Sequence, residues 1–105
     1  MIARMWRGWT EHRNADAYEQ VFSAIVLPEL EAVAGLNDTY LFRRELPDEV
    51  EFVALTIFES LSAVRDFAGE DYETAVISPE AKQVLKRFEE RATHYEIVIA
   101  KNGRV

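Results

Sequence analysis

The stretch "EFVALTIFE" at positions 51–59 is apolar on both parities. In an extended chain Val53, Leu55 and Ile57 fall on one side and Phe52, Ala54, Thr56 and Phe58 on the other, because successive side chains of a strand point to opposite faces. Such a strand needs cover on both faces. The chain has 105 residues, the length of a single domain (1–105) with one modest core, and it can lay helices over only one face of a sheet. A partner is therefore expected on the other face, and the most economical one is a second copy in a two-fold homodimer whose sheets meet face to face.

The remaining segments supply that strand with neighbours. Residues 2–10 alternate, with Ile2, Arg4, Trp6 and Gly8 on one side, and read as the first strand. Asn14 suits a helix N-cap, and Tyr18, Val21, Phe22, Ile25 and Leu30 then recur at helical spacing. Pro28 removes a backbone donor, so this helix is predicted to kink or stop near Leu27 and resume as a short turn to Val33 before Gly35 ends it. "TYLFRREL" (39–46) joins 51–59 as a hairpin through the turn residues "PDE". Ser60 caps a helix carrying Leu61, Val64 and Phe67, Gly69 stops it, and 71–77 are predicted to add a short helical turn. Ser78-Pro79 opens another helix, with Ala81, Val84, Leu85 and Phe88 at i, i+3, i+4 and i+7. "HYEIVIA" (94–100) reads as the last strand, and residues 100–105 as a flexible polar tail. The order is βαββαβ: an α+β, ferredoxin-like protomer with a four-stranded antiparallel sheet.

Twelve Lys and Arg against nineteen Asp and Glu give a formal charge of -7, which opposes a phosphate backbone, and no basic stripe offsets it, so no nucleic-acid partner is expected. Without cysteine there is no disulfide, thiolate metal site or thiol nucleophile. No apolar run approaches the roughly 20 residues that span a bilayer, and the N-terminus lacks a signal-peptide core, so the expected location is cytoplasmic, away from membranes. His12 and His94 have no partner at a ligand spacing, and no metal site is expected.

The element order, together with "MIARMWRGWT", "SLSAVRDFAGEDYETAV" before "SPE", and "THYEIV", resembles the antibiotic biosynthesis monooxygenase family over roughly residues 2–99. The resemblance implies a dimeric α/β barrel with a pocket between the sheet and the second helical region. It also implies one of two chemistries: cofactor-free oxidation of phenolic or polycyclic aromatic molecules by O₂, or haem breakdown. The haem-degrading members use an asparagine on the first strand, a tryptophan in the second helix and a haem-ligating histidine. Here the first strand has no asparagine, and the other two positions fall on Phe67 and Ile77, so haem degradation is disfavoured.

Oxygenation without a cofactor needs a held and deprotonated phenol, a cation or donor beside it, and aromatic walls that exclude water. Tyr72, His94 and Arg4 are the candidate catalytic residues, and Trp6, Phe52, Phe58 and Phe67 the candidate substrate walls. Five of them have a structural alternative: Trp6 in the core or an interface, Arg4 paired with Glu96 on the neighbouring strand, His94 bonded to backbone, Phe67 docking its helix, and Tyr72 with its polar tip turned to solvent. A non-catalytic dimeric module that binds a small molecule is the competing reading of the whole chain.

Overall fold

In the computed structural model, which describes residues 1–105, strand β1 (Ile2–Thr10) runs antiparallel to β3 (Val50–Phe58) over its full length, from Ile2 opposite Phe58 to Thr10 opposite Val50. Strand β2 (Leu36–Glu45) pairs with the other side of β3, and with two short strands, β4 (Arg87–Phe88) and β5 (Thr93–Glu96), the sheet order is β2-β3-β1-β4 with β5 also on β1. This is the expected ferredoxin-like order. The register places Arg4, Trp6 and Gly8 on one face with Thr56, Ala54 and Phe52, and the helices pack there.

The phenylalanines of β3 take the covered face: Phe52 and Phe58 are fully buried with Tyr18, Leu30 and Val64. The opposite face carries Met5, Val53, Leu55 and Ile57, with Tyr40 and Phe42 each 48% exposed and their rings stacked at 5.9 Å. No helix of the chain covers this face. Nor is any helix long and apolar enough to cross a membrane.

The first helical region does not stop near Leu27, but its winding changes there before it resumes. Helix α1 (Ala15–Val21) passes through a π turn (Phe22–Val26) into α2 (Leu27–Glu31). The Leu27 N–H reaches back to the Phe22 carbonyl, one residue further than in an α-helix. That widening accommodates Pro28, which has no N–H and whose ring would crowd the preceding turn. Asn14 does not cap this helix with its side chain; it ends a 3₁₀ turn (His12–Asn14) that leads into it.

Helix α3 (Leu61–Ala68) begins and ends as its sequence implies, with Ser60 Oγ accepting from the Ala63 N–H at 3.2 Å and Gly69 closing it at φ 89°. Gly35 lets the chain pass this helix closely, since a Cβ there would stand 2.5 Å from the Ala63 Cβ.

Three expectations in the C-terminal third are corrected. Helix α4 (Pro79–Val84) opens at Ser78 as read, but it stops before Leu85, which is extended. The cause is the edge of β1: the Lys86 N–H donates to the Trp9 carbonyl and the Glu89 N–H to the Arg7 carbonyl, so the segment that would continue the helix is taken as strand β4 (Arg87–Phe88). Phe88, spaced for a helix, therefore pairs with Gly8 instead.

The final strand, β5 (Thr93–Glu96), is shorter than the predicted 94–100. It covers β1 only from Ile2 to Met5, and beyond it only the Ile97 N–H finds a ladder partner, the Met1 carbonyl. Between the two short strands, residues 89–92 stand opposite Trp6 and Arg7 as a bulge, so two strands fill the position expected for one and the sheet has five. Residues 71–77 form a single hydrogen-bonded turn, with the Thr74 N–H on the Asp71 carbonyl, and no helix. Thr74 bridges to Arg91, with the Ala75 N–H on the Glu90 carbonyl and the Ala92 N–H on the Glu73 carbonyl, which ties this segment to the bulge.

Candidate functional site

Arg4 occupies the inner face of β1 because its parity puts it there, and it is 5% exposed. A buried guanidinium must spend its donors on acceptors. Nη1 donates to the Tyr72 carbonyl at 2.5 Å and to His94 Nε2 at 3.0 Å, and Nη2 to the Thr74 carbonyl at 3.3 Å. The Arg4 group thus fastens the 72–74 segment to the sheet, and none of its partners is a carboxylate. Burial alone pulls its pKa down to about 10, which leaves it charged at neutral pH. The residue opposite Arg4 on the neighbouring strand is His94; Glu96, the partner expected from the sequence, lies opposite Ile2.

A cavity of about 50 Å³ opens beside this cation. Arg4, Trp6, Ala54 and Thr56 form its sheet wall, Tyr18, Phe22, Val26 and Leu30 its wall on the first helical region, and Phe67 with Val76, Ile77, Ser78 and Ala81 the remaining side. The π turn matters here, because it sets Phe22 and Val26 on the cavity while the chain continues to Leu30. Trp6 is fixed by its indole N–H, which donates to the Glu89 carbonyl of the bulge at 2.7 Å and leaves the ring face for packing. Phe67 lies beneath the guanidinium, with Arg4 Cζ 5.7 Å from its ring centre.

Of the residues singled out in the sequence, Arg4, Trp6 and Phe67 meet at this cavity. Tyr72 and His94 meet each other on the far side of Arg4, edge to face at 5.1 Å, where they line a larger and more open hollow of about 550 Å³ with Glu73, Arg91 and Tyr95. The Arg65 guanidinium lies over the Tyr72 ring at 5.2 Å. Phe52 and Phe58 are core residues, Phe52 against Tyr18 at 4.8 Å and Phe58 against Phe67 at 6.1 Å, and neither lines the cavity. Tyr18, Phe22, Val26 and Leu30 line it without having stood out, since a cavity wall and a packed stripe use the same helical spacing.

The tautomer of His94 follows from its neighbour. A guanidinium can only donate, so Nε2 is the acceptor and the proton sits on Nδ1, which is buried and has no partner. Desolvation first, and the nearby Arg4 charge second, lower the His94 pKa below 6.5, against a smaller opposing pull from Glu73. A depressed histidine pKa means that the unfolded chain binds the proton better, so stability falls as pH drops through 6.5 toward the folded-state value and levels off below it. Urea midpoints at about pH 7.5 and about pH 5.5 should therefore differ more in the native chain than in His94→Gln, whose amide oxygen still accepts from Arg4. Equal differences in the two proteins would contradict the buried-acceptor assignment.

No group of three His, Cys, Asp or Glu side chains converges as a metal site. Burial raises the Tyr18 pKa, so this residue serves the cavity as a neutral phenol.

Backbone comparison with solved structures bears on the fold that holds these residues. A putative antibiotic biosynthesis monooxygenase from Bacillus cereus superposes with a TM-score of 0.69 at 12% identity, covering 96% of this chain and 94% of that one. The fold is the same. Rv0793 from Mycobacterium tuberculosis matches this fold with a TM-score of 0.61 at 16% identity over 95% of this chain and 97% of its own. A variant of MhuD, with two manganese protoporphyrin IX molecules bound per active site, gives 0.62 at 18% identity, covering 98% of this chain and all (100%) of its own. No protein-family model and no curated protein matches the chain.

Proposed function

We propose that this chain is a cofactor-independent monooxygenase for a small phenolic molecule, held as its anion against Arg4 and acting as a homodimer. The observation that carries the reading is the buried guanidinium without a carboxylate partner on the wall of a largely apolar cavity. Its charge favours the anionic, electron-rich form of a bound phenol, and the walls of Trp6 and Phe67 suit a flat ring. In the proposed reaction one oxygen atom of O₂ enters the ring and the other leaves as water, and the electrons that reduce O₂ come from the phenol as it becomes a quinone. No external reductant is needed. A cavity of about 50 Å³ is far below the roughly 300–1,000 Å³ of ordinary ligand pockets, which favours a single ring over a polycycle and requires the Val76–Ser78 wall to yield on entry.

Tyr72 and His94 stay in this scheme as residues acting through Arg4, since both contact it from behind. The second reading, a binding module without catalysis, is favoured by one specific feature: the cavity wall presents no free base, with His94 Nε2 engaged by Arg4 and Tyr18 held as a phenol. The homodimer is supported by the open apolar face of β1, β2 and β3.

A metalloporphyrin, such as the MhuD structure holds, does not suit these residues. The cavity wall has no imidazole or thiolate, Phe67 and Ile77 fill it with carbon where the haem-degrading pattern has tryptophan and histidine, and the volume is too small.

Oxygen uptake with single-ring phenols and hydroquinones tests the proposal. Uptake matched by the quinone absorbance, absent under nitrogen and with heat-denatured protein, is the expected result. Binding without uptake across the panel would leave the module and remove the oxygenase.

A further inference from the structure

Arg4 has donors to spare. Of the five N–H groups of a guanidinium, Nη1 uses both of its own on the Tyr72 carbonyl and His94 Nε2, and Nη2 uses one on the Thr74 carbonyl. The Nε–H and the second Nη2–H have no acceptor in the protein. Those two N–H groups stand on nitrogens bonded to the same carbon, in the geometry that receives two oxygens side by side. They belong to a residue that is 95% buried, given its 5% exposure, and that forms part of the cavity wall.

Of the other polar groups on the wall, the Tyr18 hydroxyl and the Ser78 O–H carry no charge, and the rest are committed within the protein. The Trp6 N–H is committed to the Glu89 carbonyl, Ser78 Oγ accepts from the Ala81 N–H at 3.1 Å, and the Thr56 hydroxyl donates to the Arg4 carbonyl at 3.4 Å. A donor pair on a charged group with no acceptor in the protein is open to one from a ligand, so the ligand that completes this site brings two coplanar oxygens and a flat apolar body. A lone phenolate oxygen satisfies only part of that fork.

We infer that the cavity takes an aromatic carboxylate, with its two oxygens on Nε and Nη2 of Arg4 and its ring against Trp6 and Phe67; the oxidisable members of this class are hydroxybenzoates. The inference rests on the cavity being the ligand site, but not on oxygenation, because benzoate carries the carboxylate and no phenol.

Calorimetric titration of the full chain with benzoate, benzamide and phenol tests it without any variant. Benzoate should bind at least about tenfold tighter than benzamide, its neutral isostere, and tighter than phenol. Arg4→Lys keeps a cation but loses the fork, and should weaken benzoate by about tenfold or more while circular dichroism reports a folded chain. Undetectable benzoate binding, equal affinity for benzamide or phenol, or unchanged affinity in a folded Arg4→Lys protein would each overturn the assignment. Benzoate binding that follows the expected order without oxygen uptake on hydroxybenzoates would uphold the carboxylate site and remove the oxygenase reading alone. Uptake on simple phenols with no benzoate binding would do the reverse.

Discussion

Phe58→Ala should cost about 3–5 kcal/mol of folding stability, the range for removing a fully buried aromatic ring. Phe58 has no exposed surface, and its neighbours are held by regular structure on every side. Ile2 and Leu36 flank it on the adjacent strands, and Phe67 of α3 packs on it at 6.1 Å. Those neighbours cannot collapse into the space without pulling a strand or a helix from its register, so most of the lost volume stays as a void. For a domain of this size the loss is a large part of the roughly 5–15 kcal/mol that separates folded from unfolded. Equilibrium urea unfolding measures it as a drop in midpoint at unchanged slope. A loss below about 1 kcal/mol would show that α3 is more loosely docked than its contacts imply. The same substitution removes the backing of Phe67, so ligand affinity should fall even though Phe58 lies outside the cavity.

Leu55→Arg should abolish self-association. Leu55 sits mid-sheet on the open face, between Met5 and Tyr40, and is only partly buried in the protomer. An arginine there points into solvent in a single chain but faces the partner in the proposed face-to-face dimer, where two desolvated, unpaired cations result. The dissociation constant should rise by about 100-fold or more, while the protomer's thermal unfolding changes little. Sedimentation equilibrium is the direct measurement. The native chain should appear at twice its 12.1 kDa mass and the variant at that mass. A native chain already at 12.1 kDa under micromolar conditions would remove the dimer.

Strand parity carried most of what could be read in advance. β1 was legible to the residue, because its alternation needs only a period of two, and so were the Ser60 and Ser78 caps, whose signals are local; the hairpin was legible too, although β2 begins at Leu36 and not at Thr39. Parity also placed Arg4 and Trp6 on one face, and the cavity is built on that face. The C-terminal third was not legible because its structure answers a distant demand. Nothing between Leu85 and Ala92 shows that the β1 carbonyls of Trp9 and Arg7 lack donor partners, yet that lack turns a helical spacing into strand and bulge. The 71–77 segment makes one turn and no helix for a related reason, since the bulge and Arg4 both bond to its backbone. The distinction between Tyr72 with His94 on one side of Arg4 and the cavity on the other depends on which guanidinium nitrogen meets which acceptor, and no spacing in a sequence encodes that.

The two tryptophans lie in unlike surroundings, and this gives the protein a built-in optical probe. Trp9 lies under the Arg87 guanidinium at 3.8 Å, away from the cavity, whereas Trp6 borders the cavity with its indole N–H tied to a carbonyl. With Trp9 replaced by phenylalanine, Trp6 becomes the sole strong emitter, and any ring entering beside it alters its emission directly. Occupancy of the cavity is then readable in real time, with no label and no turnover, at protein concentrations too low for calorimetry.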